Sequence, residues 1–332
     1  MVDMRRILTI DGGGVRGIVP ATVLAALERQ TGRATRESFD FVAGTSTGAV
    51  LAAGIAAGIP AATLADLYAD RSPQVFRRLP LISTVRRVVT GTMYEIDTLR
   101  ALIVEELGPE AGEWRVNDSP IDLLITAKRL SDGMPWYFVR DNPSNSCRAG
   151  GFRLADVATA SAAAPTYFRP WPVAPVGELI DGGIGVAGNP VYQACVEAFE
   201  YTDAYEPPST MVVSLGTGTL LRRERPTWIW PWLGWLLSEL LRSPAEQQTE
   251  LVHRHYPASP FYRIDIALDR EIGLDAVDRV GELRELGERL ATAVDWPAVL
   301  AAREDRFRVT DATTLPREYC LFGPDADGTS DP

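Results

Sequence analysis

Two hydrophobic patterns alternate along the chain: short β-prone runs, and longer stretches with apolar residues at helical spacing. Ile7-Leu8-Thr9-Ile10 runs into Asp11 and the triplet Gly12-Gly13-Gly14, after which residues 18–30 read as a helix. Residues 39–43 predict a second strand. Residues 49–58, nearly all Ala, Gly and aliphatic, predict a helix small enough in section to lie against a sheet, broken at Pro60. Further helices are expected over 61–78, 98–107 (ended by Gly108-Pro109), 154–164 (stopped by Pro165), 191–201 and 275–294, the last with apolar residues at 277, 280, 283, 286 and 290. Strands are expected over 121–127, 135–140, 178–180, 210–215 and 261–268, with a basic connection over 79–93. Strands alternating with helices predict an α/β layered fold with a largely parallel sheet. No repeat or linker divides the chain, and the polar residues 323–332 are expected to be disordered.

Composition narrows the function classes. The 332 residues are 46% hydrophobic and 23% charged, enough for a substantial core. Lys plus Arg number 33 against 44 Asp plus Glu, a net charge of −11, which argues against a nucleic-acid partner. Cys147, Cys195 and Cys320 are few and far apart and suggest neither a disulfide framework nor a zinc site, so no metal or cofactor is expected. No signal peptide or membrane-spanning run is recognisable, which favours the cytoplasm.

Candidate chemistry sits at strand-to-helix junctions. Gly12-Gly13-Gly14-Val15-Arg16-Gly17 formally matches G-x-G-x-x-G, and a helix N-terminus there favours negative charge. A nucleotide-binding protein using this loop as a phosphate cradle is one reading. However, the next strand ends in Ala43-Gly44 and not in the acidic residue that would hold a ribose. Gly44-Thr45-Ser46-Thr47-Gly48 is G-x-S-x-G in the setting of a nucleophile elbow, with Gly44 and Gly48 removing Cβ atoms from a sharp turn. The Thr47 N–H is a further oxyanion donor. A serine needs a base. His253 and His255 are the histidines, and a Ser-His-Asp α/β-hydrolase esterase is the corresponding alternative; however, that fold places more strands before its elbow. Asp181, before Gly182 and Gly183 at a strand end, is the better-placed base.

These three motifs in order, with residues 160–168 and Gly188-Asn189-Pro190, resemble the patatin-like phospholipase family over residues 5–218. The resemblance implies a three-layer α/β/α sandwich with a mainly parallel central sheet. Residues 5–218 would be its catalytic core and 219–322 the C-terminal part of the same domain. It further implies Ser46 as nucleophile, Asp181 as base, and an oxyanion hole built from Gly12, Gly13, Gly14, Arg16 and Gly17. The activity implied is hydrolysis of phospholipid or lysophospholipid esters by a cytoplasmic protein that is peripheral at the membrane when active.

Residues 226–241 hold Trp228, Trp230, Trp232 and Trp235 beside a leucine face at helical spacing. Tryptophan favours the membrane interface, so this stretch is a candidate membrane contact or lid. It serves equally as a core contact or as a contact between subunits of a homo-oligomer. Compact bacterial proteins resembling this arrangement include antiviral effectors switched on by a cyclic nucleotide. Arg77, Arg78, Arg86 and Arg87, or Arg222, Arg223 and Arg225, are candidate contacts for such an activator.

Overall fold

A computed structural model of the chain describes residues 4–77, 91–142, 149–185, 187–220, 246–302 and 308–310. Its strands are β1 (Arg5–Ile10), β2 (Phe41–Gly44), β3 (Asp122–Arg129), β4 (Pro135–Val139), β5 (Trp171–Val173), β6 (Gly177–Asp181), β7 (Thr210–Leu215), β8 (Thr219–Leu220), β9 (Phe261–Asp265), β10 (Ala267–Leu268) and β11 (Arg308–Thr310). Its helices are α1 (Ile18–Thr31), α2 (Thr35–Ser38), α3 (Thr47–Ala57), α4 (Ala61–Val75), α5 (Ile96–Ala111), α6 (Leu154–Ser161), α7 (Val191–Glu200), α8 (246–255), α9 (Val280–Thr292) and α10 (Trp296–Leu300).

Strands β11-β9-β7-β1-β2-β3 lie side by side and parallel, with β4, β5 and β6 completing a mixed sheet through antiparallel pairs. Both faces of the sheet are covered, as a parallel sheet requires. Alternate residues divide between the faces. Leu8, Ile10, Val42, Leu123 and Ile125 pack with α1, α3, α4, α5, α6 and α9. Ile7, Phe41, Ala43 and Leu124 pack with α7 and α8. The result is a three-layer α/β/α sandwich with a mainly parallel centre. Residues beyond 218 join the same layers: β9 pairs with β7, and Gly287 of α9 lies against Thr22 of α1.

Two registers position the functional loops. In the first, Ile10 at the end of β1 stands opposite Gly44 of β2 and Leu215 of β7, so three loops leave the sheet at one level. In the second, β2 pairs with residues 122–125 of β3 and β6 with residues 127–129, while β4 occupies 124–128. Because β4 overlaps both, it must take the other edge of β3. Strands β2 and β6 therefore share one edge, end to end. Gly44 stands opposite Ile125 and Asp181 opposite Ala127, about 7 Å apart along that edge at ~3.3 Å per residue.

Several boundaries differ from the sequence expectation, each for a tertiary reason. The helix expected to run to Ala164 ends at Ser161, and the carbonyl of Ala163 instead accepts the Asp181 N–H at 3.0 Å. The helix expected from Asp275 starts at Val280, after a short 3-10 turn over Val277–Arg279. Before it, the Leu274 carbonyl accepts the Val15 N–H at 2.9 Å. The strand expected over 261–268 is interrupted at Ile266, whose N–H turns to the Asp265 carboxylate at 2.9 Å. Helix α5 continues to Ala111 across a break at Gly108 (φ 79°). The Trp-rich stretch, Cys147, Cys320 and the expected disordered tail lie outside the described residues.

Helix α3 approaches the sheet so closely that a Cβ on Gly48 would stand 2.2 Å from the Ile10 carbonyl oxygen and 2.8 Å from that of Asp11. Gly48→Ala should therefore cost stability by about 1–3 kcal/mol or more, as overpacked sites do, read as a lowered urea midpoint at unchanged m-value.

Candidate active site

Ser46 lies between β2 and α3 with φ 55° and ψ −121°, a conformation costly for any residue with a Cβ, on the order of 1–3 kcal/mol. The turn is made possible by its flanks: a Cβ on Gly44 would stand 2.2 Å from the Gly48 carbonyl oxygen. The strained residue is held from outside, since its N–H donates to Ser161 Oγ at 2.8 Å. Ser161 had no individual signal in the sequence; it is one small polar residue in an alanine-rich helix.

The Ser46 hydroxyl donates to Asp181 Oδ2 at 2.7 Å. Asp181 is 2% exposed, and its Oδ1 accepts the Gly183 N–H at 2.7 Å. Gly182 allows this turn, because a Cβ there would stand 2.1 Å from Thr126 Oγ1. Burial pushes the Asp181 carboxyl up to about 6, while the bonds from Ser46 and Gly183 pull the other way. Neither histidine bonds to this pair. His255 Nδ1 shares a 2.7 Å bond with the Tyr192 hydroxyl on the α7 side of the sheet, and His253 stands edge-on to Phe261. Among the described residues, no group of three or more His, Cys, Asp or Glu side chains is arranged to hold a metal ion.

Three of the expected oxyanion-hole members make other contacts in the glycine loop. The Gly12 N–H is spent on the Gly188 carbonyl at 3.0 Å. Gly17 is a packing glycine, where a Cβ would collide with Thr47 Oγ1 and the Tyr68 hydroxyl. Arg16 points its Nε at the Gly13 carbonyl at 3.2 Å and its NH1 at the Gly218 carbonyl at 3.5 Å, so it braces the loop from behind. The N–H groups of Gly13 and Gly14 have no acceptor among the described residues, nor does that of Thr47 at the start of α3. The loop lies close to the serine: a Cβ on Gly12 would be 3.2 Å from Ser46 Cβ.

Behind the loop, Asp11 is 5% exposed and forms a two-pronged pair with Arg263 at 2.6 and 3.0 Å. Arg263 also reaches Asp265 at 3.1 Å and Ser214 Oγ at 2.8 Å. Burial pushes the Asp11 carboxyl up to about 6 against the pull of Arg263. Burial opposes the charge on Arg263, but the two carboxylates outweigh it and raise its pKa. Arg263 and Asp265 went unnoticed in the sequence. Their visible signal was a pair of opposite charges two residues apart in an otherwise apolar strand.

A cavity of about 150 Å3 opens at Ser46 and is almost wholly apolar, running between α3, α4 and α5 past Leu51, Leu64, Leu67, Ile103 and Phe168. Arg71, paired with Glu105 and Glu106 at 2.9 and 3.0 Å, stands at its margin.

The patatin-like phospholipase family model matches residues 8–195, more than half of the chain. The chain belongs to the patatin-like phospholipase family. Among its relatives is a cGAMP-activated phospholipase of Vibrio cholerae serotype O1, 33% identical over 231 residues, covering 65% of this chain and 64% of the relative. A protein of the same name from Escherichia coli strain TW11681 is 32% identical over 202 residues, covering 58% and 56%. The matches thus span under two thirds of each relative's length. Among solved structures, VipD from Legionella pneumophila matches 87% of this chain and 67% of its own, at 12% identity and a TM-score of 0.40.

The raised Asp181 carboxyl works against stability near neutral pH. A carboxylate whose pKa is higher folded than unfolded opposes folding above about pH 6, and that cost fades as pH falls toward 4. Asp181→Asn should therefore stabilise the protein at pH 7.5 by up to about 3 kcal/mol, at 1.4 kcal/mol per unit, with the gain vanishing near pH 4. Urea titrations of both proteins at the two pH values check this.

Proposed function

We propose that this chain is a serine lipid acyl hydrolase that cleaves carboxylic esters of phospholipids or lysophospholipids through a Ser46–Asp181 dyad. One observation carries the reading: a part-buried serine–carboxylate bond of 2.7 Å, whose serine lines an apolar cavity that suits a fatty acyl chain. Asp181 Oδ2 takes the Ser46 proton as Oγ attacks the ester carbonyl. The tetrahedral oxyanion is met by the Gly13 and Gly14 N–H groups, with that of Thr47 beside them, in a site worth about 3–4 kcal/mol per donor. Collapse of this intermediate breaks the ester C–O bond, and the proton held by Asp181 goes to the departing alcohol oxygen. Water, deprotonated by the same carboxylate, then releases the acyl group from Ser46 as a fatty acid.

A phosphate cradle is less well supported. Of the backbone donors in the glycine loop, those of Gly12, Val15 and Arg16 are already given to Gly188, Leu274 and Gly13 carbonyls. Two N–H groups with no acceptor among the described residues suit one developing oxyanion better than a diphosphate.

Activation by a cyclic nucleotide belongs to the same proposal, and both bacterial relatives named above carry cGAMP activation in their names. Of the arginines marked in the sequence, only Arg77 lies among the described residues. A polar recess of about 370 Å3 at the N-terminal ends of β1–β3, lined by Arg5, Arg6, Arg33, Arg36 and Arg140 together with three carboxylates, is a second place for such an anion. Peripheral membrane contact rests on Trp228, Trp230, Trp232 and Trp235; among the described residues no helix is long and apolar enough to cross a membrane.

Mass spectrometry of products from a mixed phospholipid and lysophospholipid pool, with and without cGAMP, tests the reading. Free fatty acid should appear with the wild type and be abolished by Ser46→Ala and by Asp181→Asn; undiminished turnover by Asp181→Asn would remove the dyad. Since the carboxylate must be ionised, kcat/KM should fall about tenfold per unit below pH 6. Full activity without cGAMP, and no calorimetric binding of it, would remove the activator.

A further inference from the structure

The two donors of the glycine loop that lack an acceptor among the described residues belong to Gly–Gly peptides, which have no side chain to fix their orientation. A peptide between glycines rotates more freely than any other, so an unheld loop would present N–H or C=O to the serine almost indifferently. Something outside the loop must choose.

The chosen orientation is written in the carbonyl bonds. In a trans peptide the N–H and C=O point in opposite directions. The Gly12 carbonyl accepts the Thr217 hydroxyl at 2.7 Å, which turns the Gly13 N–H the opposite way. The Gly13 carbonyl accepts Arg16 Nε and the Arg16 N–H, both at 3.2 Å, which does the same for the Gly14 N–H. Thr217 and Gly13 are fitted to each other: a Cβ on Gly13 would stand 2.4 Å from Thr217 Oγ1. Threonine at 217 and glycine at 13 are one feature.

Thr217 is itself held. It is 4% exposed, in the turn Gly216-Thr217-Gly218 at the end of β7, beside the end of β1. The Asp265 carboxylate takes the Gly218 N–H at 2.9 Å and the Thr219 hydroxyl at 2.8 Å. Arg263 joins Asp265 to Asp11, whose N–H returns to the Leu215 carbonyl at 3.0 Å. A closed ring of buried and part-buried bonds thus ties the two loops together, and the Thr217 hydroxyl is its contact with the glycine-loop peptides.

We propose that Thr217 is a positioning residue of the hydrolase, its hydroxyl aiming the Gly13 N–H at the oxyanion through the Gly12 carbonyl. The proposal rests on the serine-hydrolase reading above. Thr217 does not touch substrate, so its removal should weaken transition-state binding and leave ground-state binding of the lipid unchanged.

The test compares Thr217→Val, which keeps the branched shape and loses the donor, with Thr217→Ser, which keeps the donor and loses a methyl. On a soluble ester, Thr217→Val should lower kcat about ten- to a hundredfold, less than the roughly hundred- to thousandfold of losing an oxyanion donor outright, at a KM within about twofold of wild type. Thr217→Ser should restore most of kcat. A purely structural role would lower the melting temperature and would not follow this split. If Thr217→Val folds poorly, Thr217→Ala carries the same expectation. The proposal is overturned if kcat stays within twofold when the hydroxyl is removed, or if Thr217→Ser falls as far as Thr217→Val. Ser46→Ala, run alongside, separates the two readings. Retained turnover there sinks the serine mechanism itself, whereas a dead Ser46→Ala beside a fully active Thr217→Val sinks only the role of Thr217.

Discussion

One edge of β3, shared end to end by a parallel and an antiparallel strand, is the constraint on which the site depends. Strand β2 must stop after Gly44 for β6 to begin pairing at Ala127, and the chain leaving β2 is forced upward into the turn that carries Ser46. Strand β6 arrives from the opposite direction and ends on Asp181. Two residues 135 positions apart in the chain are thereby delivered to the same gap, and a 2.7 Å bond closes it. Neither loop needs to be long. The precision comes from the ladder of β3, which is rigid because helices cover both faces of the sheet.

Asp11 and Asp181, two of the buried aspartates, show how differently one fold treats the same side chain. Asp11 is neutralised by Arg263 and serves structure, tying the glycine loop to the turn after β7. Asp181 is as deeply buried, yet its described partners are a hydroxyl and one N–H. Burying a charge with so little compensation costs stability. That cost is what raises the carboxyl toward the range where it can both take and return a proton near neutrality. A cation beside Asp181 would repair the stability and pull its pKa back down.

The sequence made the strand–glycine–helix junctions legible, because glycines there are demanded by contacts that leave no room for a Cβ. Ser46 was readable from Gly44 and Gly48. Asp181 was readable only jointly with the other motifs, since Asp-Gly-Gly alone is an ordinary turn. What stayed hidden depended on partners far along the chain. That the Gly12 N–H is spent follows from Gly188; that Arg16 faces carbonyls follows from the position of Gly218; that helix α6 stops at Ser161 follows from Asp181 needing the Ala163 carbonyl. Local propensity favours helix through Ala164, and tertiary bonding overrides it. The triad of Asp11, Arg263 and Asp265 was missed because its members are separated by 252 positions, and charges in a strand read first as solvent-facing.

Helix α3 meets two demands at once. Its small residues, Gly48 and Ala52 among them, let it sit against the sheet, while Thr47, Val50, Leu51 and Gly54 line the cavity. From Ser46 to Gly54 that stripe extends about 12 Å at 1.5 Å per residue, so the helix that presents its N-terminus to the serine also forms a wall of the cavity. A change in side-chain volume deep along the stripe alters the room for an acyl chain at a distance from the reacting atoms. A change near Thr47 disturbs the hydroxyl contact it shares with Tyr68, close to the serine. On the proposed hydrolase reading, selectivity for chain length and the chemistry of ester cleavage would be separated along one helix, with the strained residue at its N-terminus as the boundary.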